Sequence, residues 1–384
     1  MNKEQPNTLA LAGATSSETF ASASPHILPK VNIDHILALT DDTGMFQHAV
    51  FNIPDYREGY TTDDNARAVL LSVLLESEPG ELSRQINKHT PRYLGLMWYA
   101  YNPKTGRFRN FLSYNRNWLE SAGSEDSHGR SLMALGTVLG RSQSPSRRGI
   151  AERLFHIALP ATLSFTSPRA WAFTLLGVNE YLRRFPDNAL IKATGEILAN
   201  RLLELYKATA SPEWQWFEDV VTYCNPRLSQ AMLVSGAWLA RPEMTRTGLA
   251  SLEWLAALQR SENGIFSPIG SNGFYKRGGV PARFDQQPIE AYSMISACFD
   301  AYRTTRERAW LTEAQRAFGW FFGRNDLGLP LYDPETGGCH DGLHSDRINE
   351  NQGAESTIAF HLAVIEMQAL EKTDASLNQF YPLR

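Results

Sequence analysis

One pattern returns six times along the 384-residue chain: a short polar cluster followed at once by an apolar helical stretch. The copies are TTDDNARAVLLSVLLE from Thr61, EDSHGRSLMALGTVLG from Glu125, TSPRAWAFTLLGVNEYL from Thr166, NPRLSQAMLVSGAWLA from Asn225, QQPIEAYSMISACFDAY from Gln286 and NQGAESTIAFHLAVIEM from Asn351. Aligned on Ala66, Gly129, Pro168, Pro226, Pro288 and Ala354, they stand 63, 39, 58, 62 and 66 residues apart. Repetition on that scale marks units that cannot bury their apolar faces alone and stack to share one core. Each copy is apolar nearly all round, with Ala, Gly and Ser interspersed, which describes a helix with helices on several sides. The stretches at 82–101, 147–163, 187–208, 243–260 and 306–323 instead carry charges at intervals among Leu, Ile, Trp and Phe, as a one-sided surface helix does. Six inner helices alternating with about six outer ones predict an all-α chain, an (α/α)6 toroid, with the inner helices around a central axis. The 39-residue interval predicts a low rim on one side.

The links divide into two kinds. Inner-to-outer links are short, whereas outer-to-inner links are long and chemically varied, and all of the latter open on one end of the toroid. Four of them contain a turn signature: DDTGMF at 41–46, PKTGRF at 103–108, SENGIF at 261–266 and PETGGC at 334–339. A Gly among polar residues, followed by an aromatic or apolar residue, predicts a β-hairpin tip. Residues 1–30 are rich in Ser, Thr, Ala and Pro without amphipathic period and are expected to be a disordered tail, leaving 31–384 as a single barrel domain. They lack the basic and apolar regions of a secretory signal.

The net charge of −4 offers no basic field for a phosphate backbone, so nucleic acid is not an expected partner. No run of about 18 apolar residues is present to span a membrane. Cys224, Cys298 and Cys339 are odd in number and far apart, which argues for reduced thiols and a cytoplasmic protein.

The loaded links carry four acidic doublets: Asp41–Asp42, Asp63–Asp64, Glu125–Asp126 and Glu218–Asp219. One Asp before a helix is explained by capping. A doublet leaves a carboxylate over, and with Asp285, Glu290, Asp341 and Glu355 on the same face the acids exceed what capping needs; crowding raises such groups toward the range of a general acid. Aromatic and amide residues accompany them: Tyr60 before TTDD, Trp214, Trp216, Phe217 and Tyr223 around Glu218–Asp219, and His48, Asn65, Gln287 and Asn351 among the polar neighbours. Carboxylates and amides suit sugar hydroxyls, and rings suit the C–H face of a pyranose. Arg67, Arg130, Arg169 and Arg227 recur near inner-helix starts and are expected to pair with the acids, with binding of an anionic sugar or phosphate as the alternative.

The segment CHDGLHSD at 339–346 has ligand-like residues, but no helix-borne His pair or paired Cys supports it, so no metal is expected. Dinucleotide, P-loop, GxSxG and HExxH motifs are absent from the sequence, and no cofactor is expected.

The sixfold alternation over about 33–372 resembles the six-hairpin glycosidase superfamily. The stretches HILALTDDTGMFQHAVFNIPDYREGYTTDDNARA at 35–68, EDSHGRSLMALG at 125–136 and NQGAEST at 351–357 are similar to a bacterial family found beside or fused to glycosyltransferases and near mannoside phosphorylases. The resemblance implies carbohydrate chemistry in an (α/α)6 barrel, with a glycosyltransferase or phosphorylase as partner in the same pathway.

These readings give a glycoside hydrolase acting on a manno- or gluco-oligosaccharide. Asp64 and Asp126, on adjacent inner helices about 8–10 Å apart, are expected as base and support, a spacing that suits inversion, which takes about 6.5–9.5 Å between carboxyls. Glu218, desolvated by its aromatic neighbours, is the expected acid. Expected to bind substrate are Asp42, His48, Tyr60, Asp63, Asn65, Glu125, His128, Trp214, Trp216, Asp219, Tyr223, Asp285, Gln287, Glu290, Asp341, Asn351 and Glu355. Two alternatives stand beside this reading: a sugar isomerase or epimerase using His48, His128, His340 or His344 as proton shuttle, and a non-catalytic carbohydrate-binding module.

Overall fold

The computed structural model describes residues 28–380, with side chains described through 374. Most of the expected tail falls on residues 1–27, outside the described residues. Residues 28–30 already belong to the barrel: Leu28 packs on the core, and the Pro29 carbonyl accepts from Gln368 at 3.2 Å.

Twelve α-helices are present among the described residues. The inner six are α2 (Thr62–Leu74), α4 (Glu125–Arg141), α6 (Pro168–Leu182), α8 (Pro226–Trp238), α10 (Pro288–Thr305) and α12 (Ala354–Phe380). The outer ones are α1 (Asp34–Ala38), α3 (Glu81–Ala100), α5 (Pro145–Ala158), α7 (Ala189–Thr209), α9 (Pro242–Leu258) and α11 (Ala309–Trp320). Each inner helix packs on the next, and α12 returns to α2, so the ring closes. Outer helices lie against the inner helix that precedes them, and α1 lies against α12. The fold is the (α/α)6 toroid that the repeat predicts.

Burial follows the patterning. In α2 every residue from Asp64 to Val73 is buried, and α8 is buried from Pro226 to Gly236. The seam between α4 and α6 is the tightest: a Cβ on Gly136 would stand 2.1 Å from the Gly177 carbonyl oxygen, and one on Gly177 2.5 Å from that of Leu132. Only glycine lets two backbones approach so closely.

The long links all lie at the N-terminal ends of the inner helices. Each turn signature is closed by an antiparallel pairing: Thr40 with Met45, Tyr101 with Phe108, Arg260 with Phe266 and Tyr332 with Cys339. A small sheet forms on this face where Phe46 pairs with Tyr60, Tyr60–Thr61 with Phe111–Leu112, and Leu112 with Trp118. Residues paired across a sheet share a face. One face therefore carries Phe46, Tyr60, Leu112 and Trp118, packed together with Leu96 of α3. The opposite face carries Thr61 and Phe111 and looks into the barrel mouth.

Candidate active site

A cleft of about 400 Å³ opens at the starts of α2 and α12. Its walls include Asp63, Asp64 and Arg67 of α2, Glu355 of α12, Asp341 from the link before α12, and Gln287 just before α10. His48, Gln47, Asn110, Phe111 and Asn349 complete the mouth.

Arg67 organises the floor. Its Nη1 lies 2.9 Å from both Asp63 Oδ2 and Asp64 Oδ1, and its Nη2 donates to Glu355 Oε2. Arg130, one inner helix away, pairs through Nε with Asp63 Oδ1 at 2.6 Å. Thr61 caps α2 by accepting from the Asp64 N–H at 3.0 Å, and its hydroxyl donates to Asp64 Oδ2 at 2.5 Å. The two members of the doublet thereby diverge. Burial pushes Asp64 up to about 6, with Asp63 and Glu355 adding to the rise against the opposing pull of Arg67. Burial also acts to raise Asp63, but the Arg130 and Arg67 guanidiniums outweigh it and hold that carboxyl below the usual range. Asp341 is raised by burial, while Gly353 N–H donates to its Oδ1 at 2.8 Å.

The other sites expected from sequence are placed differently. Asp126 and Glu218 do not line this cleft. Asp126 accepts from Ser167 Oγ at 2.5 Å and the Tyr223 hydroxyl at 2.6 Å, and Glu218 accepts from Arg169 Nη1 at 2.6 Å. Glu218 is thus an ion-pair partner and not a carboxyl set among rings. The rings meant to surround it are core: Trp214 is 3% and Trp216 0% exposed, both packed on Trp254, so neither offers a stacking surface. Tyr60 is buried on Phe46, with ring centroids 4.6 Å apart, and donates to Asp41 Oδ2 at 2.5 Å. Asn65 staples the 41–46 turn through Met45, accepting from its N–H at 2.9 Å. His128 is buried, accepts from Phe108 N–H at Nδ1 and faces the Ala158 carbonyl with Nε2, and burial lowers it to about 4. It is a neutral core residue and no proton shuttle.

Capping explains several acids, though across repeats and not within them. Ser124 caps α4, while Glu125 accepts from the Thr166 and Ser167 N–H groups before α6, at 2.8 and 2.7 Å. Glu290 of α10 accepts from the Cys224 N–H and from Asn225 at the start of α8, and burial raises it to about 7. Asp42 makes an exposed pair with Arg116, and Asp219 lies 3.6 Å from Arg277. Asn351 accepts from Phe51 N–H at 2.9 Å. Asp285 pairs with His344 Nδ1 at 2.5 Å beside the cleft residue Gln287. Of the four recurring arginines, Arg67, Arg130 and Arg169 pair with acids, whereas Arg227 donates to Gln230 and Ser296.

Sequence reasoning missed Asn110 and Phe111. Asn110 accepts from the Asp63 N–H at 3.1 Å through its side chain and from the Thr62 N–H at 2.9 Å through its carbonyl, which ties the link before α4 to the start of α2. No local signal announces a pairing between residues 47 and 48 apart. Among the described residues no group of three or more His, Cys, Asp or Glu is arranged to hold a metal ion, and no helix is long and apolar enough to cross a membrane.

No protein-family model and no curated protein matches the sequence. Solved structures do match the fold. A cellobiose 2-epimerase from Bacillus thermoamylovorans B4167 superposes with a TM-score of 0.67 at 11% identity, over 88% of this chain and 95% of that one. An α-1,6-mannanase from Salegentibacter sp. HEL1_6, solved with α-1,6-mannotetrose as an inactive variant lacking two consecutive aspartates, gives 0.59 at 10% identity, over 88% and 96%. A cellulase of C. cellulolyticum in complex with cellobiose gives 0.57 at 7% identity, over 86% and 88%. The chain shares the (α/α)6 fold of these enzymes.

Proposed function

We propose that the protein is a glycoside hydrolase acting on a manno- or gluco-oligosaccharide bound in the cleft at the starts of α2 and α12. The observation that carries this reading is the pairing of Asp64 and Glu355 through one guanidinium, with Asp64 buried and raised to about 6. Glycosidic cleavage needs one carboxyl that holds a proton near neutral pH and a second, ionised one across the scissile bond. Asp64 is the acid, and Glu355, more exposed and paired with Arg67, activates water. Asp64 and Glu355 stand on neighbouring inner helices, and packed helices lie about 8–10 Å apart, which supports the wider carboxyl spacing of inverting enzymes, about 6.5–9.5 Å, over the 5–5.5 Å of retaining ones. Asp126 and Glu218 have no part in this mechanism. Hydrolases with oligosaccharides bound among the structural neighbours, and consecutive aspartates in the mannanase, support the assignment. Three cysteines without a disulfide fit a cytoplasmic setting. The resemblance to a family near glycosyltransferases and mannoside phosphorylases supports a place in a pathway that makes or recycles such sugars.

The experiment is incubation with manno- and gluco-oligosaccharides of defined linkage, read by mass and NMR. Shorter sugars of inverted anomeric configuration are expected, and Asp64→Asn and Glu355→Gln should each lose at least about 100-fold in rate while melting as folded proteins. Full activity in either folded variant removes that residue from the mechanism. A second reading, sugar isomerase, rests on His48 in the cleft and the Asp285–His344 pair beside it; an isomerised product of unchanged mass would establish it instead.

A further inference from the structure

Among the residues lining the cleft, Phe111 alone carries an apolar side chain. It is 42% exposed, on the barrel-facing side of the small sheet, and its partner in register is Thr61, whose hydroxyl donates to Asp64. Directly paired residues on one sheet face hold their Cβ atoms about 4.5–5.5 Å apart, so the ring stands one residue pair from the residue that holds Asp64. Across Phe111 on its other side lies Leu119, 69% exposed, whose N–H donates to the Phe111 carbonyl at 3.0 Å. The backbone beneath is held rigidly: Glu120 Oε1 accepts from the Asn110 N–H at 2.6 Å and the Phe111 N–H at 3.3 Å. Two large apolar side chains thus form a fixed ledge that runs from the polar cleft outward, beyond the cleft lining.

We propose that this ledge is a sugar-binding platform: Phe111 takes the C–H face of the pyranose ring next to the acid, and Leu119 takes the ring that follows it out of the cleft. The ledge takes over the stacking that Trp214 and Trp216, being core, do not supply. It deepens the hydrolase reading and rests on it for the position of the cleaved bond; it makes the substrate a chain of at least two rings, each with an unbroken C–H face, and not a free monosaccharide. A flat ring binds such a face without reading individual hydroxyls, while the amides Gln47, Asn110, Gln287 and Asn349 around it supply the polar partners.

The test is calorimetric titration of the full-length protein with mono-, di- and trisaccharides of the manno and gluco series, using wild type, Phe111→Ala, Phe111→Trp and Leu119→Ala, with Asp64→Asn as background if the sugars turn over. Phe111→Ala should weaken di- and trisaccharide binding about tenfold, the effect of losing one stacked ring, and Phe111→Trp should restore it. Leu119→Ala should weaken the trisaccharide and spare the monosaccharide. Unchanged affinity in a folded Phe111→Ala variant, or no binding of either series by wild type, overturns the platform. An unchanged trisaccharide affinity in Leu119→Ala overturns its outward extension. Binding that depends on Phe111 in a protein that cleaves nothing would leave the platform standing and remove the hydrolase; cleavage with wild-type affinity in Phe111→Ala would do the reverse.

Discussion

Single carboxylates in this protein differ less by residue type than by what closes around them. Asp63 and Asp64 are neighbours in sequence, yet two guanidiniums hold one below the usual range while burial lifts the other to about 6. Glu366 of α12 shows the same effect away from the cleft. Burial raises it to about 7; Ser296 Oγ donates to its Oε1 at 2.9 Å, and Oε2 has no hydrogen-bond partner among the described residues. A carboxyl raised in the folded state keeps a proton that the unfolded chain releases, so its contribution is full below the ordinary value of 4.5 and is lost as pH rises toward about 7. Glu366→Gln should therefore flatten a decline of about 1–3 kcal/mol between pH 4.5 and 7. Urea unfolding at both pH values checks this, and an equal slope in variant and wild type rules it out. The doublets were visible in the sequence as an excess of acid, but which of them reaches the cleft was not. Glu125 and Glu290 satisfy N–H groups of other repeats, and nothing in the residues around them says so. The Trp214–Trp216 alternation likewise reads the same for a core facing Trp254 as for an open cleft.

At the scale of helices, small residues decide how closely the ring packs. Six inner helices were legible because apolar residues cover nearly their whole circumference, and four hairpins because a turn needs its Gly. The α4–α6 seam was less so: Gly129, Gly136 and Gly177 look like ordinary small residues until backbones meet across them. Gly136→Ala sets two effects against each other. Helix propensity favours Ala by about 1 kcal/mol, but a Cβ 2.1 Å from the Gly177 oxygen forces the helices apart, and overpacking typically costs about 1–3 kcal/mol. Backbone cannot step aside as a flexible side chain can, so the clash wins. The variant should melt several degrees lower; a Tm equal to or above wild type would show that the seam yields.

For the whole molecule, the sheet that frames the cleft shows where sequence reading ends. Its strands come from links on either side of α2 and α3, and the pairing of Thr61 with Phe111 joins positions 50 residues apart. Periodicity reports what faces a core and turn residues report where the chain reverses; neither reports which two links meet. The cleft therefore became visible only once the ring was closed.

The two ends of the barrel differ in kind. At one, links of a few residues join helix to helix; at the other, the contacts of Glu125 with Thr166 and Ser167 and of Glu290 with Cys224 tie successive units together, and that of Asp126 with Tyr223 reaches across to the unit after next. The start of the described chain meets α12 through Pro29 and Gln368. This makes the described toroid a candidate for circular permutation, with residue 28 joined to the end of α12 by a flexible linker. New termini opened in the link at 142–144 or 306–308 leave every one of those ties intact, and such permutants should fold and melt near wild type. A permutant opened at 222–224 frees the segment that carries the Tyr223 and Cys224 contacts and should melt well below the others; equal melting of all three would mean that the helices alone set the order of the ring.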